Sequence, residues 1–170
     1  MLRAKPSILI YLTEFEANSG LLLDDRDVLA TSEPPERFIR IPRNELDGSE
    51  APNIHEQDGA LYLFVNMGRC CMGVDTTCEV VLGRGPSIDG SYVDADGEDL
   101  RGGGGTSFLS STGRFIGSGH AGIRDTGAGA MVGFHSYDGA HFGGSKLALH
   151  TLIWEDGWPV VGDLIVTHDH

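Results

Sequence analysis

The chain has 170 residues, of which 40% are hydrophobic and 22% charged, a balance that allows one globular domain with a sizeable core and excludes wholesale disorder. Twelve Lys and Arg against 25 Asp and Glu give a formal net charge of −13, which repels phosphate backbones and anionic headgroups and excludes nucleic acid as a partner. No run reaches the ~20 apolar residues of a membrane-spanning helix, and the apolar segment from Ile8 to Leu12 lacks a cleavage pattern, so no membrane partner and no leader are expected.

The 25 glycines and 7 prolines punctuate short apolar runs, which predicts an all-β chain. The first expected strand is Ile8–Phe15, followed by a linker-like stretch whose Asp24, Asp25 and Asp27 are given no role. Glu50 stands in Gly48-Ser49-Glu50-Ala51-Pro52, and by residue type alone a Glu in a turn is a solvated surface group. The second strand is Ala60–Val65, with Asn66 at its tip. Cys70, Cys71 and Cys78 fit neither an even disulfide framework nor paired zinc-ligand spacing, so the run Cys70–Thr77 reads as a loop carrying free thiols, with the redox compartment left open.

A strand at Glu79–Leu82 comes next. Asp94-Ala95-Asp96-Gly97-Glu98-Asp99 reads as a hairpin turn at Asp96-Gly97, because it lacks the ligand order and terminal Glu of a calcium loop. Gly102-Gly103-Gly104-Gly105 has no following Lys-Ser/Thr and no helix, so it is expected to be a flexible link between structural units, not a phosphate cradle. His120 follows Gly117-Ser118-Gly119, where a lone His is ordinarily a hydrogen-bonded structural residue. Strands at Met131–His135, Leu147–Trp154 and Val160–Val166 complete the series, and His168-Asp169-His170 is expected to be a frayed tail.

An internal repeat runs through this series. Glu50 and His120, Gly59 and Gly129, and Phe64 and Phe134 are each about 70 positions apart, as expected of a repeated β unit with long loops. Taking the unit as a propeller blade, residues 1–30 end one blade, 49–92 form a full blade and 120–166 form the last.

The segments Glu50-Ala51-Pro52, Tyr62-Leu63-Phe64, Cys70-Cys71-Met72-Gly73, Gly117-Ser118-Gly119-His120, Phe134-His135-Ser136-Tyr137-Asp138 and Trp154-Glu155-Asp156-Gly157-Trp158-Pro159, in this order, resemble glycoside hydrolase family 43. The likeness is to its endo-arabinanase branch and runs from about Ile8 to Val161. It implies a partial five-bladed β-propeller, holding about the last two to three blades as the C-terminal portion of a longer protein. It also implies inverting hydrolysis of α-1,5-arabinan or a related arabinose-containing polysaccharide, by a protein that is extracellular or periplasmic at full length.

An inverting glycosidase needs a protonated carboxylic acid at the leaving group and an ionised carboxylate ~6.5–9.5 Å away to activate water. By the resemblance Glu50 is the general acid, and the catalytic Asp residues are expected upstream of Met1. His120 is the ligand of a central ion, calcium or sodium. Asn66, Cys70 and Cys71 line the substrate cleft. The chain departs from the family pattern at Ser118, where a Pro is usual, and at Lys146-Leu147-Ala148, where loss of an Arg removes a bidentate anchor. Two competing readings are a non-catalytic carbohydrate-binding or scaffold fragment and a xylosidase or arabinofuranosidase of the same family.

Overall fold

The computed structural model describes residues 49–168. The expected strand Ile8–Phe15, the acids Asp24, Asp25 and Asp27, and the tail residues Asp169 and His170 lie outside the described residues.

Among the described residues, eight strands form two four-stranded antiparallel sheets, each a simple meander. The first contains β1 (Glu50–Gln57), β2 (Ala60–Met67), β3 (Glu79–Gly85) and β4 (Thr106–Leu109). The second contains β5 (Phe115–Thr126), β6 (Gly129–Asp138), β7 (Gly144–Glu155) and β8 (Trp158–His168). Both β1–β2 and β7–β8 close through Asp-Gly pairs, Asp58-Gly59 and Asp156-Gly157, with positive φ at both residues. This is the tight hairpin turn whose twist matches that of the strands it joins.

The first sheet is buried on both faces, which explains why β2 reads as a continuous apolar run. Tyr62 and Phe64 point to one side and Leu63, Val65 and Met67 to the other, as the two-residue period of a strand requires. Leu63, Val65 and Met67 pack with Val81, Tyr92 and Leu100, the last two supplied by the β3–β4 connection. On the opposite face Tyr62, Phe64, Val80, Leu82 and Leu109 meet Ala121, Val132, Phe134 and Leu152 of the second sheet. Phe64 is fully buried in that seam, stabilising it by about 2–3 kcal/mol on area grounds. Near one end of the seam Tyr62 lies edge-on to Trp154 and Trp158, its hydroxyl donates to the Gly157 carbonyl at 2.6 Å, and His55 stacks on Trp154.

These sheets are two consecutive blades of a β-propeller, and the chain is all-β. Phe64 and Phe134, 70 apart in sequence, sit on the second strand of each blade and meet in the seam. The strands overrun the apolar runs that announced them, and the first blade extends to Leu109 instead of stopping at Tyr92, because β4 pairs with β3 after the long connection. The second begins at Phe115, five residues before His120. Gly102–Gly105 therefore lies inside the first blade, and it is not a flexible link: the Gly105 N–H donates to Asp94 Oδ2 at 2.9 Å and the Gly104 N–H to the Asp99 carbonyl at 3.1 Å. The passage between blades is Ser110–Arg114. His168 is no frayed end, since it closes β8 opposite Leu147.

Candidate functional site

Glu50 is the first residue of β1, opposite Asn66, and its direction is set by an irregularity. Ala51 has a φ of 50°, the left-handed region that a Cβ-bearing residue seldom enters, and the register slips between Glu50 and Asn53. Pro52 fits here because a bulged residue leaves no ladder donor to lose. The bulge turns Glu50 out of the regular pleat and leaves it exposed at the blade's inner strand end.

Asn66 links the two blades beneath it. Only 1% exposed, it accepts the His120 N–H through Oδ1 at 2.7 Å and donates through Nδ2 to Cys78 Sγ at 3.4 Å, with Cys70 Sγ at 4.0 Å. Its amide oxygen and nitrogen are thus both engaged within the protein. Glycine at residue 119 leaves room for this approach, since a Cβ there would lie 3.0 Å from both Asn66 Nδ2 and Cys78 Sγ.

The cysteines correct the expectation of free thiols. Cys70 and Cys78 are joined by a disulfide that pins the loop between β2 and β3, and only Cys71 is free, at the surface. Sequence counting missed the pair because an odd cysteine number and an adjacent Cys70-Cys71 hide which sulfur faces Cys78. The loop is further held by Thr76, whose Oγ1 accepts the Met72 N–H, and by Thr77, whose Oγ1 accepts that of Arg69.

His120 also has a left-handed backbone, φ 57°, and its side chain is exposed. Its ring lies 6.4 Å from that of His135, which in turn lies 5.8 Å from the ring of Tyr137. Burial pushes the His135 imidazole below its ordinary pKa, and His120 pushes the same way, while Glu50 pulls against them. Burial likewise raises the Tyr137 phenol, aided by Cys71, whose side chain hydrogen-bonds it, and by the Glu50 charge. Glu50, His120, His135, Tyr137 and Cys71 therefore share one electrostatic neighbourhood. His135 and Tyr137 were legible in part: their two-residue spacing puts them on one face of β6, opposite Phe134 and Ser136, but nothing in the spacing tells which face meets Glu50.

At the end of β6, Asp138 is fully buried. Burial raises its pKa, but hydrogen bonds from His141 and the Ala140 N–H, with the nearby Arg114, outweigh that and hold the carboxylate below its ordinary range. A pocket of about 660 Å³ opens between the sheets, lined by Phe108, Phe115, Phe134, Leu147 and Leu164. Neither Glu50 nor His120 borders it, so the candidate site is a feature of strand ends and not of this pocket.

Residues 3–159 match the family described as Glycosyl hydrolases family 43. The chain is 34% identical over 143 residues to the extracellular endo-α-(1→5)-L-arabinanase 1 of Bacillus subtilis (strain 168), covering 83% of this chain and 43% of that protein. Among solved structures, an exo-1,5-α-L-arabinanase from a bovine ruminal metagenomic library superposes with a TM-score of 0.76 at 26% identity, over 90% of this chain and 48% of the other. An α-L-arabinanase of Cellvibrio cellulosa complexed with arabinohexaose gives a TM-score of 0.64 at 33% identity, over 66% and 36%. The chain thus spans less than half the length of each of these relatives. With the family matched over nearly the whole sequence and its strand-end carboxylate set on a propeller blade, the chain belongs to glycosyl hydrolases family 43.

Proposed function

We propose that this chain supplies the general-acid side of an inverting glycoside hydrolase acting on α-1,5-arabinan or a related arabinose-containing polysaccharide. The observation that carries this reading is Glu50, exposed on a bulged inner strand and electrostatically coupled to His135 and Tyr137. An acid at a glycosidic oxygen must be reachable by a polymer yet fixed in direction, and the bulge at Ala51 provides both. The partner carboxylate that activates water is assigned to no residue of this chain. The endo- and exo-arabinanases among its relatives support an arabinose polymer as substrate.

Asn66 and the loop pinned by Cys70 and Cys78 hold the floor of the cleft, and Cys71 borders it through Tyr137. His120 is proposed as the single protein ligand of a hydrated calcium or sodium ion. Among the described residues no group of three ligating side chains gathers around it, so such an ion keeps a mostly aqueous shell. The full-length enzyme is proposed to act outside the cytoplasm, supported by the extracellular relative and by a disulfide of the kind that persists in oxidising surroundings.

The test is Glu50→Gln in a protein completed with the remaining blades. Hydrolysis of arabinan should fall by roughly 10²–10⁴, the usual worth of a positioned acid, while arabino-oligosaccharide affinity measured by calorimetry stays nearly constant. An aryl arabinoside whose leaving group needs no protonation should lose far less. Unchanged arabinan hydrolysis would remove Glu50 from the mechanism, and binding without turnover by the unaltered complete protein would favour a carbohydrate-binding role.

A further inference from the structure

The ligating atoms of Glu50, Cys70 and Cys78 lie within 4.8 Å of one another, a cluster that the proposed hydrolysis does not use as such. We propose that, when Cys70 and Cys78 are reduced, these three side chains form a binding site for a thiophilic divalent cation of the zinc type, and that formation of the Cys70–Cys78 disulfide abolishes it.

The donor set suits such an ion. Zinc takes thiolate sulfur at about 2.3 Å and carboxylate oxygen at about 2.0–2.2 Å, so donors around a tetrahedral ion stand roughly 3.3–3.8 Å apart. A cluster already within 4.8 Å needs about an ångström of side-chain movement, and the exposed Glu50 carboxylate is free to supply it. Three protein ligands and one open position would result, the pattern of zinc sites that retain a water.

The outer shell is built as well. Asn66 Nδ2 points at Cys78 Sγ from 3.4 Å and is itself held through Oδ1 by the His120 N–H, so one sulfur has a fixed, buried hydrogen-bond donor. Such partners orient ligands and tune metal affinity. Gly119 leaves the space that Cys78 Sγ occupies. Cys71, exposed and turned toward Tyr137, stands apart from the set.

The redox step balances with a dithiol as reductant. Its two electrons break the Cys70–Cys78 sulfur bond, it closes to its own cyclic disulfide, and its two protons pass to the two cysteines. Zinc binding then releases one proton from each thiol to buffer, leaving two thiolates and the Glu50 carboxylate around the ion. If Glu50 is the general acid, the bound cation withdraws it from catalysis; this consequence rests on the proposed function, whereas the binding site does not.

The experiment is zinc titration of the 170-residue chain, oxidised and after treatment with a dithiol that is then removed, followed by equilibrium dialysis and by protection of cysteines from alkylation read by mass spectrometry. The reduced chain should bind one equivalent and shield Cys70 and Cys78 but not Cys71; the oxidised chain should bind none at this site. Cys78→Ser and Glu50→Gln should each weaken binding by more than the roughly 10–100-fold typical of losing an outer-shell partner, while Cys71→Ser retains it. Equal binding by both redox forms, undiminished binding by Glu50→Gln, or a reduced chain that loses its strand signal in circular dichroism would each overturn the proposal. None of these readouts measures hydrolysis, so zinc binding by the reduced chain together with unchanged arabinan hydrolysis by Glu50→Gln in the completed, oxidised protein would refute the proposed function alone.

Discussion

Glu50 and Asn66 show how much of the site depends on single residues whose backbone surroundings decide their use. Glu50 was legible as a candidate because Ala51 and Pro52 follow it, yet the bulge and the left-handed Ala51 that aim it come from pairing with β2. Asn66 was placed correctly at a strand tip, but its partner is the main-chain N–H of a residue 54 positions away, a contact that carries no side-chain signature. Removing that amide leaves the part-buried His120 N–H and the buried Cys78 sulfur without their partner, and an unpaired buried group costs about 1–3 kcal/mol. Asn66→Ala should therefore lower the denaturant midpoint by that amount with an unchanged m value. Asn66→Asp, which keeps the acceptor for His120 and loses the donor to Cys78, should recover only part of the loss.

Among the elements, the middle strands of each blade announced themselves, whereas the first strands β1 and β5 and the short edge strand β4 did not. β2, β6 and β7 carry apolar runs, since they pack across the seam, whereas β1 reads Glu-Ala-Pro-Asn-Ile-His-Glu-Gln and β5 is interrupted by three glycines and two register slips. The first strands are held by ladder hydrogen bonds and bulges, so apolar periodicity is a weak guide to them. The turn expected at Asp96-Gly97 forms, with the Gly97 N–H donating to the Asp94 carbonyl. Asp94 also accepts from the N–H groups of Asp96, Glu98 and Gly105, spending its carboxylate on backbone donors and not on a cation.

The Gly105 N–H is the strongest of the influences that lower the Asp94 pKa, and the Arg101 guanidinium holds Asp99 to about 2, both from 3.8. With folded values below unfolded ones, the contribution of these carboxylates is complete above pH ~4 and is lost as pH falls through the folded values, about 2 for Asp99. Stability measured by urea titration should thus drop between about pH 4 and 2, and Asp94→Ala should flatten that slope while costing about 1–2 kcal/mol at neutral pH.

At the scale of the whole molecule, the two described blades are joined by an apolar seam and a polar latch. The Tyr62 hydroxyl reaches the Gly157 carbonyl across 95 residues of sequence, within the Tyr62, Trp154 and Trp158 cluster. Tyr62→Phe keeps the ring and loses the latch, so the chain should lose about 1 kcal/mol in urea denaturation followed by tryptophan fluorescence, with the blades still unfolding together. In the second sheet Leu147 and Ile153 of β7 are exposed, while the first sheet is covered on both sides. The sequence by itself determined the all-β class, the repeat that superposes Phe64 on Phe134, and the identity of Glu50 as a candidate acid, because turn residues, apolar runs and short motifs are local. Tertiary structure alone decided that Cys70 pairs with Cys78, that Asn66 serves His120, and that His135 and Tyr137 share the neighbourhood of Glu50. Those relations depend on how two blades twist and stack, and contacts between strands distant in sequence leave no periodic trace in the chain that makes them.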